Sequence, residues 1–177
     1  MLTVTKSGVE PRPDRPFIAE PDYGIPATLE GVLPWSHVTD RVQQARNYWV
    51  GTIGPETRPH VVPVWGVWVG HTLYFGGGPR TRWSRNLAAN PRVAVHLESG
   101  DDVVILEGEV DRIDDPQHPL LAEIDDAYEE KYDMRHGPPV WVLRPRVVLA
   151  WSEFPTNATR WRFEDTRQPE ERKPDEG

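Results

Sequence analysis

The chain contains no cysteine. That excludes disulfides, thiolate metal sites and cysteine nucleophiles, and it suits a reducing, cytoplasmic compartment. No apolar run approaches the ~20 residues of a membrane span. The first residues, MLTVTKSGVEPRPDRPF, lack an apolar core of signal-peptide length. A protein that meets no membrane is expected. None of the histidines forms an H-x-H or H-x-x-x-H pair, so no metal site is assigned; His60 and His96, which flank core-like strands, are the two worth following. The patterns GxxxxGK[ST] and G-x-S-x-G are missing, and GGGPRT does not give G-x-G-x-x-G. Acidic residues are missing too, from one window only. Between Glu56 and Glu98 there is none, while Arg58, Arg80, Arg82, Arg85 and Arg92 fall there. The window carries +5 within a chain whose net charge is -8. Overall repulsion makes such a chain a poor nucleic-acid binder, but the basic window fits a local site for a small anion.

The 177 residues allow one domain with tails, and eight tryptophans supply large flat side chains for a core, an interface or a ligand pocket. Residues 1–34 are rich in proline and read as an extended or partly ordered arm. Residues 35–163 form the domain, and 164–177 read as a charged, disordered tail. Val38, Val42 and Ala45 share a helical face, which predicts a helix over 37–46 capped by Ser36. HVVPVWGVWV, residues 60–69, is apolar on both strand faces, as in a barrel wall covered outside by a helix or another subunit. Pro63 lacks a ladder donor and requires an edge or an interruption there. GHTLYF continues as the hairpin partner across Val69-Gly70-His71. RVAVHLE and VVILEGEV are strands around the SGDD turn. Leu120, Leu121, Ile124, Ala127 and Tyr128 predict a helix over 117–132. PVWVLRP, VVLAW and TRWRF are short closing strands. The order predicts a mainly β protein, an antiparallel barrel with helical decorations.

The stretch YFGGGPRTRWSRNLAANPR concentrates the chemistry. Thr81 is a good N-cap, so a helix should run over 82–90, stopped by Pro91. Arg80, Arg82 and Arg85 then crowd its positive end, at a cost of a few tenths of a kcal/mol each unless an anion sits there. Free N–H groups, the Thr81 hydroxyl and the guanidinium groups would cradle a phosphate. Gly76, Gly77 and Gly78 would admit a ligand close to the backbone or adopt positive φ. An ordinary solvated helix start after a flexible loop is the competing reading.

RPHVVPVWGVW, LYFGGGPRTRWSRNLAANPRVAVHLESG, VVILEG and ATRWRF resemble the pyridoxamine 5′-phosphate oxidase-like flavin-binding split barrels. The closer resemblance is to the actinobacterial branch that includes deazaflavin (F420)-dependent reductases. The resemblance covers about 37–163. It implies a split antiparallel β-barrel homodimer with cofactor sites at the subunit interface. The family's phosphate pattern would fall on Thr81, Arg82, Trp83, Asn86 and Leu87, with Pro63, Val64 and Trp65 beside the cofactor ring. The usual lysine is Trp83 here. Arg80 or Arg85 could replace its charge, or Trp83 could stack on a ring. On the same family grounds Trp161 approaches the ring.

The implied function is an oxidoreductase moving a hydride between F420, the first choice, or FMN and a small unsaturated or aromatic substrate. No catalytic acid or base is assigned, because such chemistry resides in the cofactor. Two alternatives stand beside it: a cofactor-binding or sequestering protein without turnover, and a dimeric split-barrel module without cofactor. Glu107 and Glu109 share a strand face, but their alternation with Leu106, Gly108 and Val110 is that of a half-exposed strand.

Overall fold

A computed structural model describes residues 10–18 and 20–164; the tail expected beyond 164 lies outside them. The strands are β1 (Pro13–Asp14), β2 (Tyr48–Ile53), β3 (Pro59–Val64), β4 (Gly66–Val69), β5 (Thr72–Gly76), β6 (Arg92–His96), β7 (Val103–Ile113), β8 (Val140–Trp151) and β9 (Thr159–Arg162). The helices are α1 (Trp35–Gln44), α2 (Arg82–Ala89) and α3 (Leu121–Tyr132). All strand pairings are antiparallel, in the order β1-β9-β8-β7-β6-β2-β3, with β5 joining both β4 and β8. The chain between β3 and β4 therefore closes a ring: β3 pairs with β2, whereas β4 pairs with β5.

That switch of partner explains a departure from expectation. The single strand expected over 60–69 is broken, and at Trp65 rather than Pro63. Pro63 sits opposite Trp49 within β3, an edge strand, where its missing donor costs nothing. After the break only glycine fits at position 66, because a Cβ there would lie 2.9 Å from the Tyr74 carbonyl oxygen. Both faces of β4 are covered, as its apolar run requires. Trp68 joins the barrel core with Tyr48, Phe75, Leu106 and Trp161, while Val67 and Tyr74 meet Ile124 and Tyr128 of α3 outside. On β3 the covering stops, and Val61 is 53% exposed. The Gly70-His71 turn has φ of 56° and 63°, which suits the twist of a two-residue hairpin.

Three other boundaries move for local reasons. Helix α1 begins at Trp35 after an extended Pro34, and Ser36 makes no cap. Burial of Trp35 against Trp161, with ring centroids 5.4 Å apart, sets the start instead. Helix α3 begins at Leu121 because Pro119 disfavours helical backbone at His118. The two strands expected around Pro145 are one, β8. A bulge facing Glu107 and Gly108 accommodates the proline without ending the strand.

The arm is tied down where described. Residues Pro13 and Asp14 pair with β9. The buried Arg15 guanidinium donates to the carbonyls of Thr28, Glu30, Thr156 and Ala158. No described helix is long and apolar enough to cross a membrane.

Candidate functional site

Gly66 and Phe75 are direct partners in the β4–β5 ladder. Trp65, just before β4, and Gly76, just after Phe75, therefore leave the hairpin side by side. The hairpin thus brings the PVW stretch and the glycine–arginine stretch to one end of the barrel. The expectation of positive φ in the glycines is corrected: none of Gly76, Gly77 and Gly78 adopts it. What comes close to two of them is the protein itself. A Cβ on Gly76 would lie 2.1 Å from the His136 ring, and one on Gly77 would lie 2.7 Å from Trp83 Cζ2.

Helix α2 starts as its sequence dictates. Thr81 is extended and its Oγ1 accepts from the Ser84 N–H at 3.4 Å, while its hydroxyl donates to the Gly78 carbonyl at 2.9 Å. The helix then divides into two faces. Trp83, Ser84, Asn86 and Leu87 are buried; Arg82 and Arg85, one turn apart, are exposed beside Arg80. A cavity of about 530 Å³ lined by Gly78, Pro79, Arg80 and Thr81 opens at this end. Among the described residues none of these three arginines has a carboxylate within ion-pair distance. By contrast Arg41, Arg112, Arg135 and Arg144 each do. Three uncompensated cations at the positive end of a helix repel one another and the helix field, so the arrangement favours an anion.

The other expected site residues separate into those at this end and those turned away from it. Trp83, at the position of the family's lysine, is 6% exposed and packs on Phe75 with ring centroids 5.9 Å apart. It offers neither charge nor an open ring face. Asn86 is also internal: its amide donates to Thr52 Oγ1 at 3.0 Å and so ties α2 to β2. Trp161 is fully buried in the barrel core. The expectation that it approaches a ring is corrected, because it has no surface to present. Pro63 is exposed, Val64 is buried, and Trp65 is 41% exposed.

Trp65 has neighbours the sequence did not reveal. Its ring stacks on Tyr132 of α3, with centroids 4.7 Å apart and planes within 6°. The exposed Arg46 guanidinium lies 5.5 Å from the Trp65 centroid and 5.8 Å from that of Tyr132. Lys131 places Nζ 2.7 Å from the Tyr48 hydroxyl and 3.1 Å from the Gly66 carbonyl oxygen. Burial pulls its pKa down to about 8. The one available signal was compositional. Lys131 is the only lysine between Lys6 and Lys173, in a chain that otherwise uses arginine.

A second concavity, also about 530 Å³, lies on the open sheet face over Gly51, Val61, Ala94, Gly108 and Val147. At its rim Glu109 lies 3.6 Å from both Arg92 and Arg146, an ion-paired surface residue rather than half of an acid–base pair. His96 stacks on Trp49, and the described residues contain no group of three potential metal ligands.

A family model described as Pyridoxamine 5'-phosphate oxidase matches residues 35–152, well over half of the chain. The chain belongs to this family. The family's split-barrel fold accounts for the ring of β2 to β8 closed through Trp65. Solved structures agree. A conserved hypothetical protein of Mycobacterium tuberculosis matches with a TM-score of 0.60 and 21% identity, over 72% of this chain and 88% of that one. A putative 5-nitroimidazole antibiotic resistance protein of Bacteroides thetaiotaomicron matches at 0.58 and 17% identity, over 73% and 84%. A heme binding protein of Mycobacterium smegmatis matches at 0.56 and 21% identity, over 72% and 58%. At these identities the likeness is one of fold. None of the curated proteins matches the chain.

Proposed function

We propose that this member of the family is an oxidoreductase that uses F420 or FMN to reduce a small unsaturated or aromatic substrate. The observation that carries the reading is the N-terminus of α2. It has a satisfied Thr81 cap, three exposed arginines without acidic partners, and a cavity lined by Arg80 and Thr81. These donors fit a phosphate: Arg82 and Arg85 would grip its oxygens and the first N–H groups of α2 would face it. Arg80 and Arg85 stand in for the charge that Trp83 does not supply. Arg58 and Arg92 are already paired with Glu56 and Glu109, but the unpartnered cluster of Arg80, Arg82 and Arg85 suits a cofactor with a longer anionic tail, and this favours F420 over FMN.

When bound, the reduced ring supplies the hydride. The chain's own part is to hold the phosphate and to present Pro63–Trp65 along the ring edge. A second copy of the chain docked on the open sheet face, where Ile53 and Val61 are exposed, would cover the site from water. A homodimer is thus part of the proposal. The buried Trp83 favours one other reading, a protein that binds such a cofactor loosely and carries it without turnover.

Steady-state reoxidation of the reduced cofactor by a panel of conjugated acceptors separates the two. Turnover that scales with enzyme concentration supports the oxidoreductase. Tight binding with no reoxidation above the protein-free rate supports the carrier.

A further inference from the structure

Arg46, Trp65, Lys131 and Tyr132 form a constellation that phosphate binding at α2 leaves unused. Tyr132 is locked in place. Its hydroxyl accepts from the Gly66 N–H at 3.0 Å and lies 2.8 Å and 2.9 Å from the carbonyl oxygens of Arg46 and Gly66, to which its single proton donates. The Tyr128 hydroxyl donates to the Trp65 carbonyl at 3.1 Å and fixes the backbone on the other side. The stacked pair is therefore a rigid aromatic platform. Tyr132 is 8% exposed and covers one face of Trp65, yet Trp65 remains 41% exposed. The ring centroids are 4.7 Å apart, and the Arg46 guanidinium is almost equidistant from both. It therefore stands beside the stack and does not cap it, so the outer face of Trp65 stays open.

Charge points the same way. Neither Arg46 nor Lys131 has a carboxylate within ion-pair distance among the described residues, although the chain as a whole carries -8. A cation–π contact alone accounts for the position of Arg46. It does not account for two neighbouring cations without a counterion, nor for an indole left open beside them.

We propose that the Trp65–Tyr132 stack, with Arg46 beside it, is the subsite for a small planar anion, an aromatic or conjugated carboxylate. The ligand ring lies on the open face of Trp65. Its carboxylate turns to the Arg46 guanidinium, whose fork matches two carboxylate oxygens. The Lys131 charge adds a favourable field from between Tyr48 and Tyr132, whose ring centroids lie 4.8 Å and 5.4 Å from Nζ. The fate of this ligand rests on the oxidoreductase reading, in which it is the hydride acceptor. Its binding does not.

The test uses the full-length protein without cofactor and two matched probes, 2-naphthoate and 2-naphthamide, titrated calorimetrically at low ionic strength. Naphthoate should bind about tenfold or more tightly than the amide, as a charge-assisted contact implies. Arg46→Gln should remove most of that preference and leave amide binding unchanged, and Trp65→Leu should weaken both probes. Equal affinities for the two probes, a preference undiminished in Arg46→Gln, or no binding of naphthoate at millimolar concentration would overturn the proposal. Parallel FMN and F420 titrations distinguish the two readings. Cofactor binding without naphthoate binding removes this subsite alone; the reverse removes the cofactor reading alone.

Discussion

Replacing Arg82 with alanine probes the anion site with little disturbance of the fold. Arg82 is the first residue of α2, its side chain is exposed, and it has no acidic partner among the described residues. Removing it deletes no internal contact that the barrel uses. Because a cation at a helix N-terminus is unfavourable, the change should leave stability unchanged or raise it by a few tenths of a kcal/mol. Cofactor binding should respond in the opposite direction. A charge-assisted hydrogen bond to a phosphate oxygen contributes about 1.5–3 kcal/mol, which is roughly a ten- to hundredfold loss in affinity. The assay pairs urea denaturation of the cofactor-free variant with equilibrium titration by FMN and by F420. Increasing salt should narrow the difference between wild type and variant, since the contact is ionic and exposed. An unchanged dissociation constant would remove Arg82 from the site. A loss of binding accompanied by a comparable loss of folding stability would refute the claim that this residue is free of structural duty.

Three further outcomes follow from the packing. Arg15→Ala should cost about 3 kcal/mol or more in urea denaturation, because it orphans carbonyls of Thr28, Glu30, Thr156 and Ala158 in a buried setting. A loss below about 0.5 kcal/mol, the level of an ordinary surface change, would contradict its role as the latch of the arm. Gly77→Ala would set a Cβ 2.7 Å from the buried Trp83 ring and should destabilise by about 1–3 kcal/mol, read as a lowered Tm. Lys131 has a folded-state pKa near 8, below its ordinary value of 10.5. Between those values the unfolded chain binds more protons, so this residue makes stability rise with pH through that window. Its favourable term is complete above the upper value and lost as pH falls through about 8. Lys131→Met should flatten that rise in denaturation curves taken from pH 7 to 10, whereas an unaltered slope would show that the ammonium is not desolvated.

The features legible in the sequence are those set by local chemistry. Thr81 caps α2 because a hydroxyl at that position meets free N–H groups whatever the rest of the fold does. Pro63 announced an edge because it lacks a donor, and Gly70-His71 announced a tight hairpin. The two-sided apolarity of β4 correctly implied cover on both faces, supplied by the core and by α3. What remained hidden depends on which way a side chain turns. The family resemblance put Trp83 in the phosphate pattern and Trp161 near the ring, but helical phase buries Trp83 against Phe75 and the barrel interior takes Trp161. Gly76 and Gly77 read as room for a ligand, and they make room for His136 and Trp83. The Arg46–Trp65–Tyr132 group draws on three segments far apart in the chain and has no sequence motif. Lys131 is hidden in the same way: it stands in the acidic run DDAYEEKYD, yet it turns inward with its ammonium against the Tyr48 hydroxyl.

The central claim is that an acidic chain gathers Arg80, Arg82 and Arg85 at the start of α2 to hold the phosphate of a flavin-like cofactor. Equilibrium titration of the purified protein with FMN and with F420, followed by absorbance and fluorescence of the cofactor, tests it most directly. The account predicts saturable binding of at least one of them in the micromolar range or tighter, with F420 the stronger, and weaker binding in Arg82→Ala. No binding of either cofactor at tens of micromolar would contradict it.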